Sequence, residues 1–425
     1  MIDIEMLLKS NAAVDDYRLV TRHRTSYEAF FVHEQLETAR ATDTLTTEVT
    51  VYVKHDGKLG DSMFRLYESM DEQAASACID AAVKRAGLVF NEPYELPSGG
   101  TECCDLPSNL TDWAPAALAA RVADAMFAGC TDEKGSINAT EIFLYNDTVH
   151  VKNSRGTDMT ETKHSIMIEA IPTWNDGAES VELYETVKYM DFDADVITAE
   201  LAQKMREVRD RQYAEKPATP MTCRVVLGPK ETMHLLQDIS DQLTYSNVYS
   251  HANLYKLGDD LQCGAAGDPL TITMAGAIPG VAESAAFDAD GVRLGEKLLV
   301  DRGVVTGYHG SSRYAQYLGE REATGTMHCL KAAPGTLTAA ELASASYLEI
   351  VSMSSMQVDL YNDYIGGEIR LAYWHDRGEV RPVTGISMTA GVKDILKTLR
   401  LSDQVKTQGA GQVPAYLMMQ DVKVL

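Results

Sequence analysis

Two prolines within five residues, in the run Lys216-Pro217-Ala218-Thr219-Pro220, divide this chain of 425 residues. Proline fixes φ, offers no backbone N–H and pushes its predecessor out of helical conformation. Neither a helix nor a central strand passes through such a run. Before it stands a long charged stretch with helical character, about Ile197 to Glu215. After it come the apolar strand text Cys223-Arg224-Val225-Val226-Leu227 and the punctuation Gly228-Pro229. Residues 216–220 therefore read as a linker between an N-terminal domain, 1–215, and a C-terminal domain, 221–425. A chain of this length can give each its own core.

The two sides differ in texture. In the first, Thr46 to Lys54 alternates with β-branched enrichment and ends at the turn His55-Asp56-Gly57-Lys58, the pattern of a strand. Asp71 can cap a helix over Glu72 to Ala86, in which Ala75, Ile79, Ala82 and Val83 share a face and Gly87 follows the end. Pro115 suits the first turn of a second helix. Strands are expected around Ala139 to Val151 and His164 to Ile171, with Asn153-Ser154-Arg155-Gly156 as a turn. Beyond the linker, Glu231 to Leu243 reads as a helix. Strand-like pieces follow over 298–305, 347–353, 367–374, 380–388 and 415–424, with short helices over 338–344 and 392–400. Gly366 to Val383 has the pattern of a hairpin. The fold class expected is α+β: an N-terminal α/β-type domain of mixed strands and helices, then a β-rich C-terminal domain.

Composition removes several functions. Sixty-two acidic residues stand against 38 basic ones, a formal net charge of −24. Sequence-independent nucleic-acid binding needs Lys and Arg to neutralise phosphates, so no nucleic-acid partner is expected. No run of about 18 apolar residues suggests a membrane span. Met1 to Ser10 carries Asp3 and Glu5 where a secretory signal would be basic. The seven cysteines show no Cys-x-x-Cys spacing, which fits reduced thiols and a cytoplasmic location.

Ordered segments along almost the whole chain resemble the TldD/PmbA family. They are Ser26 to Val32 and Glu37 to Arg40, the Asn153-Ser154-Arg155-Gly156 turn, and the strand and Gly-Pro of Cys223 to Pro229. Phe287 to Val292, Asp301 to Tyr308, Ser312 to Gly319 and Ala323-Thr324-Gly325 follow in order. Gly366 to Tyr373, Pro382 to Gly385 and a strand at Gln412-Val413-Pro414 complete it. The resemblance implies a peptidase fold whose catalytic members carry His-Glu-x-x-x-His on the helix after Gly-Pro, plus a C-terminal Cys, as zinc ligands. Here the corresponding helix reads Glu231-Thr232-Met233-His234-Leu235-Leu236-Gln237-Asp238, without the Glu or the second His. The stretch Thr407 to Gln412 has no Cys. The chain thus resembles the zinc-free, PmbA-type members. No metal ligand or catalytic residue is expected in it, and zinc is expected only in a partner.

Other motifs fail on chemistry. His33-Glu34-Gln35-Leu36-Glu37 has Glu where a zincin helix needs its second His, and it falls in a segment read as strand. Gly291 to Lys297 is too short for a phosphate loop and lacks the hydroxyl residue after Lys. Asp288-Ala289-Asp290-Gly291 lacks the later acidic ligands of a calcium loop and reads as a turn. No Gly-x-Ser-x-Gly elbow occurs. His251, His309, His328 and His375 show no ligand spacing.

By resemblance, the expected role is a non-catalytic subunit paired with a zinc-bearing paralogue, or with itself, in a peptidase acting on unfolded peptides. A strand-rich wall can hold an extended peptide by backbone hydrogen bonds. Arg313 and the stretch Gly366, Gly367, Glu368 and Arg370 are the candidates for that wall. The alternatives are a stand-alone peptidase or hydrolase with a non-standard site, and a homodimeric peptide-binding protein.

Overall fold

The computed structural model describes residues 2–177 and 179–425. Helix α1 (Ile4–Ser10) starts at Asp3, whose carboxylate accepts from Met6 N at 3.0 Å, and leads into the long strands β1 (Asp16–Val32) and β2 (Gln35–His55). The segment around His33 is not all strand. His33 and Glu34 take positive φ, 46° and 64°, and make the tight turn that folds β2 back along β1. Strand β3 (Lys58–Tyr67) pairs with β2 only from Thr46 to His55. The outer edge of β2 from Gln35 to Leu45 has no strand beside it among the described residues.

Helix α2 (Glu72–Ala86) is capped by Asp71, which accepts from Ala74 N at 2.7 Å. Its Ile79, Ala82 and Ala86 pack with Val49, Val51 and Phe64. Then come β4 (Thr101–Asp105), α3 (Pro115–Ala128), β5 (Gly135–Asn153), β6 (Asp158–Asn175), β7 (Ser180–Glu182), β8 (Glu185–Tyr189) and α4 (Ala194–Gln212). One sheet runs β3-β2-β1-β5-β6-β4, with β7 and β8 also on β6. Only the β4–β6 pairing is parallel. Alternate residues of β5 and β6 (Ile142, Leu144, Ile166, Ile168) point to the face on which α3 and α4 lay Val122, Ala123, Ile197 and Leu201. The β5–β6 turn is held by Asn153, whose side-chain oxygen accepts from Arg155 N (2.8 Å) and Thr157 N (3.2 Å). It is tied to the start of β1 by Ser154 and Arg155, which both donate to Asp16. Burial works against the charged form of Asp16, yet Arg155 and Ser154 outweigh it and hold the carboxyl below its ordinary range.

The chain enters its second half along an annealed path. Glu215 N donates to Pro382 O and Thr384 N donates to Glu215 O, while Tyr373 OH donates to Asp210 at 2.8 Å. The elements that follow are β9 (Met221–Leu227), α5 (Pro229–Asp241), α6 (Tyr245–Tyr249), β10 (Ile272–Ala275), β11 (Glu296–Asp301), β12 (Val304–Val305) and α7 (Ser312–Tyr317). Next come β13 (Cys329–Ala332), α8 (Ala339–Leu342), β14 (Tyr347–Asp359), β15 (Tyr364–Asp376), β16 (Glu379–Val383), β17 (Ile386–Ala390) and α9 (Val392–Thr398). The chain ends with β18 (Arg400–Leu401), β19 (Val405–Gln408), β20 (Gly411–Pro414) and β21 (Leu417–Val424).

Strands β14-β9-β21-β17-β15 close on themselves through the β14–β15 pairing and form a barrel. A second sheet runs β12-β11-β10-β13-β20-β19. Two stretches expected as single strands are each broken in two. Arg302 and Gly303 at positive φ (47° and 88°) turn β11 into β12, and Gly385 at φ 68° separates β16 from β17. The fold is α+β, with a β-rich second half.

Gly366 and Gly367 sit inside β15, opposite β14 and β17. A methyl on Gly367 would overlap the carbonyl oxygen of Ser355 on β14, and one on Gly366 would crowd Met388 O and the Tyr364 hydroxyl. Gly367→Ala is expected to cost about 1–3 kcal/mol of stability, as overpacking does, read as a lower thermal midpoint. An unchanged midpoint would show slack between β14 and β15.

Candidate functional site

Helix α5 is the centre of the second half. Gly228 and Pro229 start it, Pro occupying the first turn where its missing N–H costs nothing. Thr232, Met233, Leu235, Leu236, Ile239 and Ser240 are all buried. Leu235, Leu236 and Ile239 join one core with Leu227 of β9, Ile272 and Met274 of β10, and Val413 of β20. Met233 lies against Gly411: a methyl there would stand 2.9 Å from Met233 Cε and 3.0 Å from its sulfur. The helix and the glycine stretch 409–411, far apart in sequence, are thus in contact. Between them they offer a thioether, a backbone and hydrocarbon.

Zinc does not fit this place. Its ligands are imidazole, thiolate or carboxylate around a tetrahedral centre. The one imidazole of α5, His234, is half exposed and pairs with Asp238 one turn on, at 3.4 Å. Among the described residues no group of three or more His, Cys, Asp and Glu side chains converges as a metal site.

Just past α5, His309 is buried with a relative exposure of 3%. Its backbone is pinned, His309 N donating to Leu243 O and Tyr245 N to His309 O. Neither ring nitrogen meets a hydrogen-bond partner among the described residues. Burial pushes the imidazole down to about 4, so it is neutral near pH 7.

Two cavities open between the halves. The first, about 510 Å³, lies between the outer face of β1, β5 and β6 and the loops 283–290, 311 and 326–328. Period-two alternation places Arg18, Arg22 and Arg24 of β1 on that one face. Its charges are mostly spoken for. Arg24 holds Asp147 in a two-pronged grip (2.6 and 2.8 Å), Arg18 pairs with Asp290, and Lys163 donates to Ala282 O and Ser284 O at 3.0 and 3.1 Å. The loop carrying Asp290 is a turn. Asp288 accepts from the backbone N–H groups of Asp290, Val292 and Thr326 at 2.9–3.0 Å, with Gly291 at φ 82°. Burial raises the Asp288 carboxyl above its ordinary range, and the neighbouring Asp290 adds to this.

The second cavity, about 550 Å³, is lined by Ile171, Glu182, Tyr184 and Arg211 from the first half. From the barrel side come Ser354, Glu368, Ile369, Arg370, Thr384 and Gly385.

The sequence profile of the PmbA/TldA metallopeptidase C-terminal domain matches residues 220–425, the half built around α5. The chain belongs to the TldD/PmbA family. Solved structures share the fold of this TldD/PmbA protein along its length. TldE from Thermococcus kodakarensis superposes with a TM-score of 0.79 at 15% identity, covering 99% of this chain and 98% of that one. A protein described as a modulator of a DNA gyrase, from Thermotoga maritima, gives 0.77 at 15%, covering 99% and 98%. A protein described in the same terms, from Bacteroides thetaiotaomicron, gives 0.77 at 15%, covering 99% and 96%. No curated protein matches the chain.

The residues anticipated as a peptide wall in this TldD/PmbA chain do not form one surface. Glu368 and Arg370 line the second cavity together. Gly366 and Gly367 pack into the strand behind them. Arg313 lines neither cavity: its guanidinium lies 5.5 Å from the ring centres of Tyr94 and Tyr314 and 5.6 Å from that of Tyr317, at the seam between the halves. Sequence reasoning passed over Arg18, Arg22, Arg24 and Arg211. The first three repeat at strand spacing and were open to notice. Arg211 sits in the last turn of α4, where a helix-capping role is the ordinary reading.

His309 makes a pH signature. It binds a proton less readily folded, at about 4, than at its ordinary 6.5, so the unfolded chain holds more protons between those values. Its contribution to stability is complete above pH 6.5 and falls away as pH drops toward 4, by about 3 kcal/mol. Burial raises Glu161, Glu231 and Asp288, which works the opposite way, so the comparison must be with a variant. His309→Leu is expected to flatten the loss of thermal midpoint between pH 6.5 and 4 relative to the unaltered chain. Parallel pH profiles would show that His309 titrates freely.

Proposed function

We propose that this chain is the zinc-free subunit of a family peptidase, shaping the space in which a zinc-bearing paralogue works on unfolded peptides. The contact of Met233 with Gly411 carries this reading. The resemblance assigns zinc ligands to both of these segments, and both segments lack them at once. Hydrocarbon from Leu235, Leu236 and Ile239 fills the position instead. Reversing one substitution would not rebuild a site whose surroundings are packed apolar core.

Under this reading the partner supplies metal, water activation and base. This chain supplies binding surface. The first cavity, between the face of β1, β5 and β6 and the loops 283–290, 311 and 326–328, is the space this reading gives to peptide, met there by side chains because the strand backbones are paired on both sides. Free cysteines throughout, and no helix long and apolar enough to cross a membrane among the described residues, fit assembly in the cytoplasm.

The test is metal analysis and peptide cleavage by the purified chain, alone and co-expressed with a paralogue carrying His-Glu-x-x-x-His. The expected outcome is no stoichiometric zinc and no cleavage alone, with a stable complex and chelator-sensitive cleavage on co-expression. Stoichiometric zinc and cleavage by the lone chain would overturn the reading in favour of a stand-alone enzyme.

A further inference from the structure

The second cavity brings two guanidinium groups, Arg211 from α4 and Arg370 from β15, to one space. Among the described residues neither Arg211 nor Arg370 has a carboxylate oxygen within 4.0 Å, although Glu182 and Glu368 line the same cavity. Both carboxylates are engaged elsewhere. Glu182 accepts from the Asn138 side-chain amide at 3.2 Å, and Glu368 accepts from the Ser354 hydroxyl at 3.1 Å. Each guanidinium is instead braced by a neutral acceptor. Arg211 Nη1 donates to the backbone oxygen of Glu182 at 2.6 Å, and Arg370 Nε donates to Ser354 Oγ at 2.8 Å. Those contacts fix the two side chains while leaving most of their N–H groups uncommitted, since a guanidinium carries five.

Two fixed like charges around one space repel each other, and the cost shows. Burial and then Arg370 push the Arg211 guanidinium below its ordinary range, although Glu368 offsets part of this. A bound anion reverses that cost, because each fork then faces an oxygen pair of opposite charge. Tyr184 adds a donor: its hydroxyl oxygen already accepts from Thr186 at 2.9 Å, which leaves the phenolic proton free. Ile171 and Ile369 supply apolar wall beside these groups.

We propose that this cavity is an oxyanion site, in which Arg211 and Arg370 together hold a carboxylate or phosphate group with Tyr184 as a third donor. The site is independent of the peptidase-subunit reading: it needs neither zinc nor a partner, and it belongs to the chain alone.

Calorimetric titration of the purified full chain at low ionic strength tests it, with inorganic phosphate, trialanine free acid and trialanine amide as probes. Saturable equimolar binding of phosphate or of the free acid is expected. Binding of phosphate without the free acid assigns the site to phosphate groups; binding of the acid but not the amide assigns it to a chain-terminal carboxylate. Arg211→Gln and Arg370→Gln are each expected to weaken binding by about tenfold or more, since each removes charge-assisted hydrogen bonds. Neither side chain is in an ion pair and each variant loses one hydrogen bond, so both are expected to stay folded with only a small drop in thermal midpoint. Arg370→Lys retains charge without the fork and is expected to fall between parent and glutamine variant. No saturable binding of either anion, or binding that survives both glutamine substitutions, overturns the proposal.

Discussion

The second half of the molecule is organised by the burial of one amphipathic helix. Helix α5 meets the barrel through Leu227 and Val225 and the second sheet through Ile272, Met274 and Val413, so its apolar stripe belongs to two sheets at once. Each fully buried Leu or Ile there contributes about 1.5–3 kcal/mol. The same positions are where catalysis would have to be written, since a zinc-binding helix must give up part of its apolar face to imidazole and carboxylate. In this chain packing occupies the whole face.

Charge follows a parallel logic. The acidic surplus leaves few cations, and most are consumed in holding the two halves of the chain to themselves and to each other. Asp16 takes Arg155, Asp147 takes Arg24, and Asp290 on a loop of the second half takes Arg18 on the sheet of the first. The last of these ties the loop 287–292 to the sheet face. The pair at Arg211 and Arg370 stands out because the two share one cavity and each is held by a neutral acceptor.

Local structure was legible wherever a single residue type decides the backbone. Asp71 as a cap, Pro115 in a first turn, and Asn153 as the hinge of a turn all act where the sequence pattern suggested, whereas Pro229, read as punctuation before a helix from Glu231, is itself the helix's first residue. The strand breaks at Arg302-Gly303 and Gly385 were not legible, because the apolar text runs through them and only positive φ ends the pairing. The turn at His33 and Glu34 was hidden because it carries neither Gly nor Pro, although His is among the residues that take positive φ more readily. At the level of sites, Glu368 and Arg370 were marked because they lie in a glycine-bearing strand, and they do face a cavity. Arg211, which joins them there, comes from a different half of the chain, and no one-dimensional spacing relates the two. Closure of the barrel is of the same kind: the pairing of β14 with β15 is a local hairpin, but its meaning depends on β9 and β21 from opposite ends of the second half.

The outer edge of β2 from Gln35 to Leu45 gives the molecule an uneven resistance to opening. Along that stretch alternate backbone groups face only solvent, and most of the side chains are exposed. Glu37, Arg40 and Asp43 punctuate it, as charges do on edges that must not recruit other strands. Such a segment opens at small free-energy cost, whereas the amides of α5 are released only when the core around them comes apart. Hydrogen exchange along this chain therefore runs over a wide range, fast along the unpaired edge of β2 and slowest in α5. The part of the molecule most able to adapt to another chain and the part least able to change are at opposite ends of that range.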